Sequence, residues 1–166
     1  MTAAPLAPAA TSRADQIKSL LKDSWLAQIY RQQILTTRTR SYHFGMLPRR
    51  ATIEVQHTLL GVELKVGRRR LLCPDLATAR YLSVFARAGC TDVAIPYDIT
   101  QLSHIADELE SAWHRMLLLI DHNVPEALRT RIRGLLIAKL RAEIAEAGAG
   151  PASPDFKQST RQRLSG

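Results

Sequence analysis

The chain has 166 residues, of which 46% are hydrophobic, and it carries 23 Lys and Arg against 15 Asp and Glu. This apolar content excludes a chain that is disordered throughout, and the length predicts one domain with one core. The net charge of +8 favours an anionic partner such as nucleic acid, an acidic protein or an anionic membrane surface; the alternative is that the charge serves solubility alone.

At the N-terminus, residues 1–11 are rich in Ala and Pro and predict a flexible segment. A helix is expected to begin at Ser12, which an acidic residue follows three positions later, as in a capping box. Apolar positions continue at helical spacing to Leu35. The stretch TTRTRSYHFGMLPRR at 36–50 then predicts a basic loop.

The middle of the chain changes to the apolar alternation with a period of two that is typical of half-buried strands. Gly61 and Gly67 mark the turns between them. We predict an antiparallel meander of three strands: 51–59, 62–66 and 69–73. Neighbouring residues on a strand point to opposite faces, so the arginine triplet 68–70 cannot project from one side. We expect it to be a hairpin tip first and an anion contact second.

After the meander, Asp75 is the expected N-cap of a helix over 76–89. The apolar run at 93–96 follows as a further strand, and a strand–helix–strand order predicts that it lies parallel to 69–73. In IPYDIT, residues 95–100, Asp98 is interpreted as the next helix cap. The alternative is that Tyr97 and Asp98 form part of a functional loop.

The C-terminal half has the clearest helical periodicity, first over about 100–122 and then from Pro125 to Gly148. The short link between these segments predicts an antiparallel helical hairpin. Residues 148–166 are rich in Pro, Gly and Ser and predict a flexible basic tail.

These elements together predict an α+β fold. It has an N-terminal helix, a small and mostly antiparallel sheet with a crossing helix, and the C-terminal helical hairpin. The sheet is expected to contain the three-stranded meander and one further short strand. The domain is predicted to span 12–147, between the two flexible ends.

Charge is distributed unevenly along the chain. Lys and Arg outnumber Asp and Glu by six in residues 1–50 and by five in 127–166, whereas acidic residues exceed basic ones by four in 76–126. A protein that contacts a polyanion with one side is expected to show such separation. The alternative is that the acidic helix pairs with basic neighbours on the surface, which contributes little per pair.

The basic loop and the meander supply the candidate nucleic-acid surface. Arginine suits phosphate groups and stacks on bases, and interleaved aromatic residues are typical of single-strand binding. The predicted contacts are Arg38, Arg40, Tyr42, Phe44, Arg49, Arg50, Arg68, Arg69 and Arg70. The alternative is that Tyr42 and Phe44 anchor the loop to the core while the arginines stay solvated. No RNP sequence, GXXG loop or zinc-finger spacing is present.

The leading hypothesis is a non-enzymatic accessory or regulatory protein that binds RNA or DNA. The second hypothesis is a protein-interaction or assembly factor, in which a partner or a second copy docks on the C-terminal hairpin and the basic tails contact acidic protein. Its predicted contacts are an apolar stripe on the last helix: Leu135, Leu136, Ile137 and Leu140.

Other chemistry has little support in the sequence. The five histidines include no pair at helical metal-ligand spacing, and no HExxH, GxGxxG or Walker sequence occurs. Cys73 and Cys90 form no CxxC pair and are expected to be reduced and buried. No apolar run reaches the roughly 20 residues of a membrane span. We therefore expect a cytoplasmic protein with no metal, cofactor or small-molecule substrate and with no enzymatic activity.

Overall fold

A computed structural model describes the backbone of residues 6–45, 47 and 52–150, with side chains from residue 10 onward. It has an α+β fold, as the sequence predicts. The elements follow in the order α1 (Leu6–Leu21), α2 (Leu26–Ile29), β1 (Thr39–His43), β2 (Ile53–Thr58), β3 (Gly61–Val66), β4 (Arg69–Cys73), α3 (Leu76–Arg87), β5 (Asp92–Pro96), α4 (Ile99–Asn123) and α5 (Glu126–Ala147).

The meander is confirmed. Strands β2, β3 and β4 form one antiparallel sheet in that order. Its turns contain Gly61 at φ +128° and Gly67 at φ +60°, backbone conformations that glycine adopts without steric cost. Leu64 and Val66 on the central strand are fully buried, and α3 packs against this sheet.

The predicted partner of the last strand is wrong. β5 does not lie parallel to β4; it pairs antiparallel with β1, and the two form a separate two-stranded sheet. Consequently the segment at 36–50 is not simply a loop, because Thr39–His43 is a strand. The alternation of Arg38 and Arg40 with Thr37 and Thr39 is compatible with a strand, but the residues that pair with β1 lie 49 to 57 positions away in the chain.

The N-terminal helical region differs from the single helix expected from Ser12 to Leu35. α1 already begins at Leu6, so the predicted flexible segment is helical over residues 6–11, and residues 1–5 lie outside the described part. The helix is interrupted after Leu21, where Lys22 has φ +50°. A 3₁₀ turn follows, then α2, and a π-helical turn from Tyr30 to Ile34.

Helix caps and the C-terminal hairpin agree with the sequence. The Asp75 carboxylate accepts a hydrogen bond from the amide of Thr78 at 2.7 Å. The Asp98 carboxylate accepts one from the amide of Thr100 at 2.9 Å. Helices α4 and α5 contact each other across the short link at Val124 and Pro125. Of the predicted tail, residues 148–150 are described and 151–166 are not. Within the described residues, no helix combines the length and the apolar character needed to cross a membrane.

Two buried tyrosines complete the backbone hydrogen bonding of β5. The amide of Ala94 donates to the Tyr30 hydroxyl at 2.9 Å, and the Tyr81 hydroxyl donates to the Ala94 carbonyl at 2.5 Å. Tyr30 in turn donates to the carbonyl of Gly148 at 2.5 Å. Phe85 packs against both rings, with centroids 5.6 Å from Tyr30 and 5.0 Å from Tyr81.

A carboxylate joins the N-terminal helices to the last one. Glu143 on α5 accepts hydrogen bonds from Lys18 at 2.8 Å, from the Trp25 indole at 3.1 Å and from Arg31 at 2.7 Å. Burial alone would raise the pKa of Glu143, but the bonds from Lys18 and Trp25 outweigh it and the pKa is lowered. The ionised Glu143 carboxylate therefore stabilises the folded state at any pH above the usual pKa of a carboxyl group. This stabilisation is lost as the pH falls through the lowered pKa of Glu143.

Replacing Tyr30 by Phe tests the tyrosine contact with β5. The variant leaves the buried amide of Ala94 and the carbonyl of Gly148 without the hydroxyl, so we expect the free energy of unfolding to fall by about 1–3 kcal/mol. Urea titrations followed by circular dichroism measure this. Tyr97→Phe is the matched control, because Tyr97 is 43% exposed, and its unfolding midpoint should stay unchanged.

The same residue predicts an alkaline effect. Burial raises the pKa of Tyr30 to about 12, so between about pH 10 and 12 the unfolded chain ionises while the folded one keeps its proton. Stability therefore falls as the pH rises through this window. Tyr30→Phe should lose less stability than the parent between about pH 9 and 11; an equal loss would contradict the assignment.

Candidate functional site

The β1–β5 pairing brings one exposed aromatic ring to two arginines. Thr39 pairs with Pro96, and the amide of Tyr97 donates to the carbonyl of Arg38 at 3.1 Å, which extends the ladder by one residue. The guanidinium carbon Cζ lies 4.9 Å from the Tyr97 ring centroid for Arg38 and 5.2 Å for Arg40. Both distances are typical of cation–π contacts.

Strand geometry explains why both arginines reach the same ring. Arg38 and Arg40 are two positions apart along one extended segment, so their side chains lie on one face, about 7 Å apart. Arg38 is exposed and Arg40 is half-buried. Tyr97, at 43% exposure, keeps part of its ring in contact with solvent. The three side chains form a cationic cluster, which we call the Arg–Tyr cluster.

The meander carries the second group of arginines. Arg68 lies in the turn, while Arg69 pairs with Val66 and Arg70 with Lys65. Because cross-strand partners share a face, Arg69 lies on the face of buried Val66 and Arg70 on the other. The prediction that the triplet cannot act from one side is confirmed. All three residues are exposed.

Tyr42 connects the two groups. Burial raises its pKa to about 12, while the nearby charge of Arg69 acts in the opposite direction. Tyr42 lies on β1 two residues after Arg40, on the same face of the strand. Arg69 therefore lies near the face of β1 that carries the Arg–Tyr cluster.

The outer face of the meander is of mixed charge. Glu54 pairs with Lys65, and Lys65 pairs with Arg70, so one acidic residue accompanies two basic ones in this row. Glu63 on the same face is 7% exposed. Arg70 therefore lies in a row of mixed charge, whereas Arg69 lies on the other face of β4, opposite Val66.

Basic residues elsewhere are largely engaged within the protein. Lys139 pairs with Asp15 at 2.9 Å, and Arg80 pairs with Asp107 and Glu110. Arg129 donates to the carbonyls of Val124 and Asp121, and Arg141 donates to that of Ala88. Among the residues that the structure describes, Arg38, Arg68 and Arg70 make no ion pair with a carboxylate, and the same is true of Arg131 and Arg133 on α5.

The aromatic residues predicted from the sequence are not the ones at the surface. Phe44 is 1% exposed and belongs to the core, so its prediction as a nucleic-acid contact is wrong. Tyr42 is half-buried, and its ring packs edge-on against Phe44 with centroids 5.0 Å apart. These rings anchor β1, which is the alternative interpretation of the sequence. Arg49 and Arg50 lie outside the described residues.

The apolar stripe predicted as a partner surface is mostly core. Leu136 and Leu140 are fully buried, Ile137 is half-buried against the core, and only Leu135 of the four is exposed, at 37%. Consecutive residues of a helix face different directions, and α5 turns Leu136 and Leu140 inward together with Ile132 and Ile144. The predicted contacts therefore do not form one exposed stripe: Leu135, Leu136, Ile137 and Leu140.

The buried thiols are poor nucleophiles. Burial raises the pKa of Cys73 to about 11 and that of Cys90 to about 12, so the reactive thiolate is scarce near neutral pH. Within the described part of the chain, no three His, Cys, Asp or Glu side chains come together as a possible metal site.

Comparisons with protein-family models, with curated proteins and with solved structures give no match to this chain.

A pair of substitutions on α5 tests the assignment of its leucines. Leu136→Ala should lower the free energy of unfolding by about 2–5 kcal/mol, because it removes a fully buried side chain. Leu135→Ala should change it by less than about 0.5 kcal/mol. Equal effects of the two substitutions in chemical denaturation would contradict the observed orientation of the helix.

Proposed function

We propose that this protein binds nucleic acid, RNA or DNA, as a non-enzymatic accessory or regulatory protein. The contact surface is the arginine surface, defined as Arg38, Arg40, Arg68, Arg69 and Tyr97; Arg70 is left out because it lies on the opposite face of β4 from Arg69. The observation that carries the proposal is the Arg–Tyr cluster, in which an exposed ring lies within 5.2 Å of two guanidinium groups.

The availability of guanidinium groups on the sheets supports phosphate binding. Ion pairs with Asp or Glu occupy several cations on the helices, whereas the described residues provide none for Arg38, Arg68 or Arg70. An unpaired guanidinium needs no internal bond to be broken before it contacts a phosphate. Its planar fork also matches the geometry of phosphate oxygens.

Salt dependence tests the proposal. Four arginine contacts would release about 0.7–0.9 counterion each, so affinity for a short labelled oligonucleotide should fall about 50–150-fold between about 50 and 200 mM salt. Fluorescence anisotropy measures this. The double variant Arg68→Ala with Arg69→Ala should lower the slope of log affinity against log salt by about 2.

The matched control removes the same charge from another surface. Arg131 and Arg133 are exposed on α5, so Arg131→Ala with Arg133→Ala changes the net charge equally. We expect this variant to keep the slope of the parent. An equal decrease of the slope in both double variants would mean that net charge alone drives binding. If the unmodified protein does not bind the oligonucleotide at low salt, the proposal is refuted.

Protein–protein association is a second candidate, favoured by exposed leucines at one end of the meander. Leu59 and Leu60 form the β2–β3 turn at 107% and 80% exposure. Leu72 packs beside Gly61: a Cβ atom added to this glycine would lie 3.7 Å from the Cδ1 atom of Leu72. Leu76 follows at the start of α3, 41% exposed. Clustered exposed leucines are typical of contact surfaces.

A second copy of the chain is the partner that suits this leucine end. Residues 58–62 carry no charged side chain, so two copies could meet there without bringing like charges together. Arg68 lies in the opposite turn of the meander, about 20 Å away along β3. Contact at the leucine end would therefore keep the arginine surfaces apart in a protein of net charge +8.

Light scattering tests this second candidate. The parent is expected to have the mass of a dimer, and Leu59→Ser with Leu60→Ser that of a monomer of unchanged stability, since both side chains are exposed. Leu118→Ser, at a 43% exposed position on α4, is the control and should remain dimeric. A monomeric parent would exclude association through this end.

A further inference from the structure

We infer that the Arg–Tyr cluster is a stacking platform for unpaired bases, so that the ligand class is single-stranded nucleic acid. This inference rests on the proposed function and narrows it. It assigns to Arg38, Arg40 and Tyr97 a role that differs from that of the meander arginines, which would contact phosphate groups alone.

The geometry separates these two roles. The Cζ atoms of Arg38 and Arg40 lie 4.9 and 5.2 Å from the centroid of the Tyr97 ring. Among the residues that the structure describes, neither Arg68 nor Arg70 makes a cation–π contact with an aromatic ring. A guanidinium group that lies over an aromatic ring still presents its own outer planar face, on which a base can stack. A base can stack on such a surface whatever its identity, because every base has a π-face.

The cluster is also ordered before any ligand arrives. A free arginine side chain has high rotamer entropy, part of which is lost when a ligand contact fixes it. Contact with Tyr97 already restricts both side chains. The backbone of Tyr97 is fixed by its amide, which donates to the carbonyl of Arg38 at 3.1 Å, and by Asp98, which caps α4 in the next position.

The surroundings of the ring favour a base over a phosphate group alone. Tyr97 is 43% exposed, and Ile99, at the first position of α4, is 61% exposed. An apolar side chain and a partly exposed ring beside two cations suit a flat, partly apolar ligand that also carries negative charge. In a duplex the bases are paired and stacked on each other, so their π-faces are not available to stack on the cluster.

Strands with and without bases separate stacking from charge. The unmodified protein is titrated with an oligothymidylate strand and with an abasic strand of the same length, which carries the same number of phosphates. We expect the base-bearing strand to bind about tenfold more tightly, the size of one base stack, at equal salt. Fluorescence anisotropy of end-labelled strands measures both affinities.

Lysine variants assign the stacking to the cluster. Arg38→Lys with Arg40→Lys keeps the charge and removes the guanidinium planes, so it should lose most of the tenfold difference and keep the affinity for the abasic strand. Arg68→Lys with Arg70→Lys is the matched control and should keep the difference. Tyr97→Leu should lose the difference, and Tyr97→Phe should retain it because the ring remains.

The outcomes distinguish this inference from the proposed function. If both strands bind equally tightly to the unmodified protein, the stacking platform is refuted while nucleic-acid binding stands. If the lysine variant of the meander loses the difference and that of the cluster does not, the platform is assigned to the wrong residues. If neither strand binds at low salt, the proposed function itself fails. Thermal unfolding monitored by circular dichroism verifies that each variant is folded.

Discussion

The position of β5 depends on two phenol groups. In an antiparallel ladder, every second residue directs its amide and carbonyl away from the partner strand. Ala94 is such a residue of β5, and Tyr30 and Tyr81 supply the acceptor and the donor that a third strand would otherwise provide. The two hydroxyl groups thus satisfy the backbone at the centre of the free edge of β5. They also connect this edge to the π-helical turn, which carries Tyr30, and to α3, which carries Tyr81. An edge satisfied by side chains is one way in which proteins prevent further strand pairing.

The candidate site is located at the end of this strand. Because β5 is held between β1 and the two tyrosines, the chain leaves it at a defined point, where Tyr97 lies opposite Arg38 and Asp98 caps α4. The Arg–Tyr cluster is therefore placed by the same contacts that build the core. A surface on rigid elements loses less conformational entropy on binding than one on a long loop, which is relevant to a contact made by flexible side chains.

Net charge alone would have been a poor guide to this surface. Several cations counted in the total of +8 stabilise the helical part of the fold, where Lys18 and Arg31 pair with Glu143 and Lys139 pairs with Asp15. The arginines on β1 and in the meander contribute equally to the total but lie on the sheets. Arg38 and Arg40 differ from the other arginines of the sheets in that they lie against the ring of Tyr97.

The sequence by itself determined the elements whose signals are local. These include the meander with its two glycine turns, the caps at Asp75 and Asp98, and the long helices α4 and α5, because each depends on residues a few positions apart. It also identified Arg38, Arg40 and the triplet at 68–70 as candidates. Only the tertiary structure decided that β5 pairs with β1, that Phe44 is core, and that Tyr97 is the ring beside the arginines. Those outcomes depend on contacts between residues some 50 to 60 positions apart, which periodicity and composition do not encode.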